Sequence, residues 1–342
     1  MGFGEMDKSG SRGPASEPVE KDIKRRVVEY KREEITQSPD TGFTLGFCGF
    51  PNTGKTMTAL TLANLQKELI PLWGDKYPIT AKALENGDVP EIRSIWVIDS
   101  ENAAKKQFGR ERKLLKYVNG TIPLTVVTIP EVAIEYDVDS KGTEVKMDQV
   151  SIDEVFDAVW TYNQAIDDFN TETDGHGLLI VDSCSRFKKL VDMKTRIVWN
   201  LSVAEKGEEY VKQAGFNKWG DRNSMWEKTM TKLRGTPGLV VGTFKTKENK
   251  EWVMKMLRKK GGQPSATTTV MLDGTAHNFD MMYDFEFATD RFDINVSTRV
   301  GRYVNRTVDE QNHFEIDTKY RFSSLQIMEH LLKEVMADDF HD

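Results

Sequence analysis

The sequence predicts an α/β fold: a mainly parallel central sheet flanked by helices, with an antiparallel C-terminal extension. Three observations predict it. Four short apolar, β-rich runs at residues 43–50 (FTLGFCGF), 94–98 (SIWVI), 178–181 (LLIV) and 239–243 (LVVGT) are bounded and not alternating. That is the texture of strands covered on both faces. Between them apolar residues recur at helical spacing, and strands alternating with crossover helices imply right-handed βαβ units. From Met271 to about Phe322 the pattern turns to β-like alternation (DFEFATDRFDINVSTRVGRYVNRTV), followed by a helical stripe of Leu325, Met328, Leu332 and Val335.

The chain has 342 residues, 38% apolar and 30% charged, enough to bury a substantial core. No stretch reaches the roughly 18–20 apolar residues of a membrane span, and the start lacks the apolar segment of a secretory signal, so a soluble, cytoplasmic protein without a membrane partner is expected. The Met-Gly start lacks the Ser or Thr of a myristoylation site, since Met6 stands there. Two cysteines, Cys48 and Cys184, make no disulfide framework, and five scattered histidines suggest no metal cage. A net charge of −7 argues against a generally basic nucleic-acid coat but leaves room for a local basic groove.

Taken in order, residues 1–20 are rich in Gly, Ser, Pro and charge and read as a disordered tail. Residues 21–40 form a mixed-charge lead-in, a short helix or strand. Residues 41–325 form the main domain, and 326–342 a C-terminal helix with an acidic tail, Asp338-Asp339-Phe340-His341-Asp342. After the first strand, residues 57–69 read as a helix with Leu62, Leu65 and Leu69 on one face. A hairpin is expected at 133–147, with Asp139-Ser140-Lys141-Gly142 at its tip. Val155, Val159, Tyr162, Ile166 and Phe169 share a helical stripe behind a capping box of Ser151 and Glu154. Trp226, Met230 and Leu233 form another stripe before the RGTPG turn.

Gly49-Phe50-Pro51-Asn52-Thr53-Gly54-Lys55-Thr56 fits G-x-x-x-x-G-K-[ST], the Walker A pattern. Average composition would place it by chance in about 1% of chains this long. A strand precedes it and a helix opening at Met57 follows. Gly54 lets successive N–H groups curl toward a β-phosphate, Lys55 suits β- and γ-phosphate oxygens, and the Thr56 hydroxyl suits Mg²⁺. Gly49, Asn52, Thr53, Gly54, Lys55, Thr56 and Met57 are therefore the candidate ATP-binding residues. The run Leu178-Leu179-Ile180-Val181 ends in Asp182, a Walker B carboxylate able to join Thr56 at the metal, although a strand-end aspartate also serves as a helix cap.

The small GTPase class fails on two counts. Asn217-Lys218-Trp219-Gly220-Asp221 has the wrong spacing to read guanine, and the D-x-x-G at Asp174 to Gly177 precedes the third strand instead of following it. The second strand, Trp96-Val97-Ile98-Asp99-Ser100-Glu101-Asn102-Ala103, ends in an acidic pair and resembles the RecA-like P-loop ATPases. Walker A, an acidic strand end, Ile180-Val181-Asp182-Ser183 and a fourth strand with a polar end follow the family's order. The layout is most similar to the RecA-type recombination and single-strand-annealing ATPases of phages and archaeal viruses, which would make the protein viral and place it in a host cytoplasm.

The resemblance implies a RecA-like core over about residues 40–325, Mg-ATP as cofactor, Glu101 as the base that activates water, and Thr243 at the γ-phosphate sensor position, where the family often has Gln. It also implies a ring or filament of identical subunits with an arginine finger in trans, Arg306 first and Arg302 second. A single-strand-binding or replication protein is a further possible partner.

Between residues 245 and 260 seven basic residues, Lys245, Lys247, Lys250, Lys255, Arg258, Lys259 and Lys260, face Glu248 and Glu251, a local net of +5, with Trp252 among them. Phosphate neutralisation by a mobile basic loop carrying a stacking aromatic suits single-stranded DNA. A second cluster, Arg186, Lys188, Lys189, Lys194 and Arg196, follows Asp182, where the family has its other DNA loop. The function expected is an ATPase coupling hydrolysis to single-stranded DNA in recombination, repair or replication. The alternatives are an assembly or switch ATPase acting on a protein, and, ranked last, a phosphotransferase.

Overall fold

A computed structural model describes residues 42–101, 122–130, 132, 136–139, 142–145, 149–204, 216–248, 267–272, 274–287, 293–298, 313–317 and 324–338. All of them belong to one compact unit, Asp40–Asp342. The strands are β1 (Phe43–Gly49), β2 (Ser94–Asp99), β3 (Leu124–Thr128), β4 (Tyr136–Asp139), β5 (Gly142–Val145) and β6 (Gly177–Asp182). They continue as β7 (Leu239–Glu248), β8 (Thr267–Thr269), β9 (Met281–Phe287), β10 (Asp293–Thr298) and β11 (His313–Asp317). The helices are α1 (Lys55–Thr61), α2 (Ile70–Trp73), α3 (Pro78–Asn86), α4 (Gln149–Thr173), α5 (Cys184–Ala204), α6 (Phe216–Arg234) and α7 (Leu325–Asp338).

The main sheet runs β11-β10-β9-β1-β7-β6-β2-β3, with β8 paired to the far end of β7. Strands β9, β1, β7, β6, β2 and β3 are mutually parallel, whereas β9-β10-β11 and β7-β8 pair antiparallel. The expected architecture is the one found. The hairpin is found as well: β4 and β5 pair with Asp139 opposite Gly142.

Alternation along each strand divides the core in two. Leu45, Phe47, Ile95, Val97, Leu178, Ile180, Leu239 and Val241 point to one face, under Ala59, Leu62, Leu84, Leu325, Met328 and Leu332. Trp96, Ile98, Leu179, Val181, Val240 and Phe244 point to the other, under the Val155-to-Phe169 stripe, Phe187, Leu190, Trp226, Met230 and Leu233. Both predicted helical stripes are therefore core. Helix α7 is tied to α3 as well as packed: the buried Glu329 carboxylate accepts from Thr80 N–H and Thr80 hydroxyl, both at 2.8 Å.

Four local expectations are corrected. The single helix expected over 57–69 is only α1, followed by 3-10 turns at Leu62–Asn64 and Lys67–Leu69. Asn64 Nδ2 donates to Thr61 O and Gln66 Nε2 to Ala63 O, local bonds that compete with helix propagation. Leu62, Leu65 and Leu69 are buried nevertheless. Helix α4 already begins at Gln149, so Ser151 lies inside it and does not cap it. The basic run 186–196 lies in helix α5, not a loop, because its apolar residues Phe187, Leu190, Val191 and Met193 are all buried. Lys245 to Glu248, expected to open a mobile loop, continue β7 and pair with β8.

Candidate functional site

The sheet order sets out the site. Strands β1, β6 and β2 end at one edge, past which β7 runs on: Gly49 lies opposite both Lys245 and Phe285, and Asp99 lies opposite Asp182. At Gly49 φ is 153°, and a Cβ there would stand 2.6 Å from the Phe285 carbonyl oxygen and 2.8 Å from Thr53 Oγ1. The turn that follows is left-handed at Asn52 (φ 67°) and Gly54 (φ 79°), which curls the loop over the strand end before α1 begins.

The Lys55 ammonium donates back into that curl, to Gly49 O at 3.0 Å, Phe50 O at 2.6 Å and Thr53 Oγ1 at 3.2 Å. Burial lowers its pKa to about 8, against the opposing pull of Asp182. The Thr56 hydroxyl donates to Asp182 Oδ2 at 2.8 Å and the Thr243 hydroxyl to Asp182 Oδ1 at 2.7 Å. Asp182 is nearly buried, and burial holds its carboxyl above the usual range despite those two hydroxyls. The negative charges of Glu101 and Asp99 push the same way.

Glu101 stands on the neighbouring strand end. Ser183 Oγ donates to its Oε1 at 2.8 Å and Lys245 Nζ reaches the same oxygen at 2.7 Å. Behind it Ser100 joins the two strand ends: its hydroxyl donates to Asp182 O and accepts from Ser183 N–H, and its own N–H donates to Asp182 O at 2.8 Å. The Tyr162 hydroxyl donates to Ser183 O at 3.3 Å, and the peptide bond between Asp182 and Ser183 is cis.

Lys55, Thr56, Asp182, Thr243 and Glu101 are thus brought together, with Thr53 beside Lys55. Asn52 is exposed at the turn, while Met57 packs against the core below it. Lys245 belongs to this polar cluster through Glu101, and Lys247 is exposed two residues further along β7. On α5, Lys188 pairs with Asp192 at 2.7 Å, Lys194 lies over the Phe156 ring, and Lys189 and Arg196 are exposed. Arg306, Arg302, Lys250, Trp252, Lys255, Arg258, Lys259 and Lys260 lie outside the described residues, as do the expected tail 1–20 and lead-in 21–40.

Sequence reasoning missed Ser100 and Ser183. A signal existed: two strands that become neighbours both end in Asp-Ser. It also missed β3 at the sheet edge.

The residues fit Mg-ATP. The cradle at Gly49 has no room for a side chain, Lys55 carries donors now satisfied only by the loop itself, and Thr56 with Asp182 offers the hard oxygen donors that Mg²⁺ prefers. A buried carboxylate that hydroxyls alone leave above its ordinary range is well served by a divalent cation. Among the described residues, no helix is long and apolar enough to cross a membrane.

No protein-family model and no curated protein matches the sequence. Among solved structures, the crystal structure of the RadB recombinase is similar at 11% identity and a TM-score of 0.35, covering 82% of this chain and 89% of that one. At that score the reading of the site rests on its own geometry.

Proposed function

We propose that this chain is a RecA-like P-loop ATPase that binds Mg-ATP at residues 49–56, hydrolyses it, and couples hydrolysis to single-stranded DNA in recombination, repair or replication. The observation that carries the reading is the chain of bonds Thr56–Asp182–Thr243 directly behind the curled loop, with Glu101 one strand away. Bound Mg²⁺ would neutralise charge on the phosphate oxygens. Lys55 exchanges its loop carbonyl partners for β- and γ-phosphate oxygens, and Thr56 and Asp182 hold the metal. Glu101 accepts the proton of the attacking water as the bond to the γ-phosphorus forms and the bond to the bridging oxygen breaks. Thr243, bonded to Asp182 from the strand between β1 and β6, senses the γ-phosphate side.

In this reading the active form is a homo-oligomer, a ring or filament, in which Arg306 or Arg302 reaches a neighbour's γ-phosphate. A single-strand-binding or replication protein is its further partner, and the resemblance to viral recombination ATPases carries the source. Lys245, Lys247 and the cations that follow them in sequence are the DNA-binding residues.

The test is ATP turnover with and without single-stranded DNA across a salt series, beside a size measurement with a non-hydrolysable ATP analogue. Salt-sensitive stimulation and growth in size are expected. Turnover unaffected by DNA would remove the DNA part alone. Lys55→Ala should abolish hydrolysis and weaken ATP binding, and unchanged turnover in the purified variant would end the ATPase assignment.

A further inference from the structure

The base proposed for hydrolysis does not stand open. Its Oε1 is taken by the Lys245 ammonium at 2.7 Å and by the Ser183 hydroxyl at 2.8 Å. An oxygen that already accepts from an ammonium and a hydroxyl must give up a partner before a water can approach it. The pair is also easily parted: the Lys245 side chain is 42% exposed and that of Glu101 26%.

The backbone of Lys245, by contrast, is fixed. Its N–H donates to Ser185 Oγ at 2.8 Å, the Ser185 hydroxyl donates to Val270 O at 2.8 Å, and Val270 N–H returns to Lys245 O at 2.8 Å. Only the side chain is free to change partner.

Around that side chain the charge is positive. Lys189 on α5, though exposed, is held below its ordinary pKa by partial burial first and then by Lys245, Arg186 and Lys247, with Glu101 the opposing charge. Arg186 is anchored by donation to Val132 O at 3.2 Å. Lys245, Arg186 and Lys247 therefore act on Lys189 at close range, four cations from two elements of which Lys245 is paired with Glu101, so further anions are favoured there. Phosphodiester oxygens supply several at fixed spacing and accept strongly from Lys and Arg.

We infer that Lys245 is a positioning residue that holds Glu101 back until a nucleic-acid strand, seated on Arg186, Lys189, Lys245 and Lys247, draws its ammonium from the carboxylate. The inference rests on the ATPase reading above and adds the link between strand binding and hydrolysis. No covalent step is involved: one ion pair is exchanged for another, and Ser183 remains to orient the freed Glu101.

The experiment measures steady-state ATP hydrolysis by the full chain, wild type, Lys245→Ala and Lys245→Arg, with poly(dT), with poly-glutamate and with neither. Without polymer, Lys245→Ala should raise kcat about two- to fivefold, the factor a partly exposed ion pair is worth, while KM for ATP stays put. Poly(dT) should raise wild-type kcat and add nothing further to Lys245→Ala. Lys245→Arg, which can still pair with Glu101, should restore the poly(dT) stimulation that Lys245→Ala loses. A basal rate in Lys245→Ala equal to or below wild type, poly(dT) stimulation that survives that substitution, or wild-type stimulation by poly-glutamate alone would each overturn the inference. Wild-type protein that neither binds nor hydrolyses ATP would instead bring down the ATPase reading beneath it, so the two failures are separable.

Discussion

The two halves of the candidate site hold their charges in different ways. On the loop side every charge is met by neutral partners: Lys55, partly buried, by carbonyls and a hydroxyl, and Asp182, buried, by two threonine hydroxyls. On the Glu101 side a carboxylate is met by a cation, and both are partly exposed. The difference teaches what each half is prepared for. Neutral partners leave a buried charge unsatisfied in sign, so the loop side favours ligands that supply the missing opposite charge. The Glu101 side is already neutral as a pair, and it responds to whatever competes for either member.

Breaking each half in turn sharpens that contrast. The largest effect is expected from Glu101→Gln, which should lower turnover by about 10²–10⁴-fold while leaving ATP affinity close to wild type, as read by equilibrium binding beside hydrolysis. Loss of binding in that variant would make Glu101 a structural residue of the loop side.

Next comes Asp182→Asn, whose two readouts should part. Turnover should fall by about 10²–10³-fold. Burial holds the Asp182 carboxyl above its ordinary range, so its ionised form costs the folded state stability above that raised value, and the cost is relieved as pH falls through it. Without ligand at neutral pH, the Asn variant should melt at or above the wild-type temperature, and acidification should narrow the gap.

Gly49→Ala should cost about 1–3 kcal/mol of stability in denaturant titration, since the added Cβ meets the backbone of β9 and Thr53. Smallest is Thr243→Val, which keeps the shape and removes one donor from Asp182, for about 1–2 kcal/mol in the same titration. Equal losses on substituting Thr243 and Lys245 would erase the contrast between the halves, because the exposed pair should contribute little to stability.

Much of this was legible in the sequence because it is local. Uninterrupted apolar runs flanked by turns marked β1, β2, β6 and β7, and the loop residues carry their own spacing. Asp182 closes β6 and Glu101 stands two residues beyond β2, so both could be named as candidates before any fold was drawn. What escaped is tertiary. The strand β3, Leu124–Thr128, is only partly buried at the sheet edge, and its two threonines break the uninterrupted apolar run that marks the inner strands. The break after α1 comes from Asn64 and Gln66 bonding back to local carbonyls, a choice made by side chains within an apolar stripe that still reads as helix. Helix α5 was hidden by its charges, since lysines and arginines that snorkel from a buried stripe look like a loop when counted alone. The pairing of Lys245 with Glu101 joins residues far apart in sequence, and no spacing rule announces it.

The position of β1 between β7 and β9 has a consequence for how the chain is made. The first described strand to leave the ribosome acquires both its neighbours late, β7 from Leu239 onward and β9 from Met281 onward. About 240 residues separate the end of β1 from the end of β9, on the order of ten to fifty seconds of synthesis at typical rates. Throughout that interval an apolar strand waits with both hydrogen-bonding edges bare, and the carbonyl of Phe285 that closes on Gly49 does not yet exist. Nascent chains stopped before Met281 should therefore hold the 49–56 loop without the β9 backbone that closes on it, and limited proteolysis should cut that loop faster there than in the full chain.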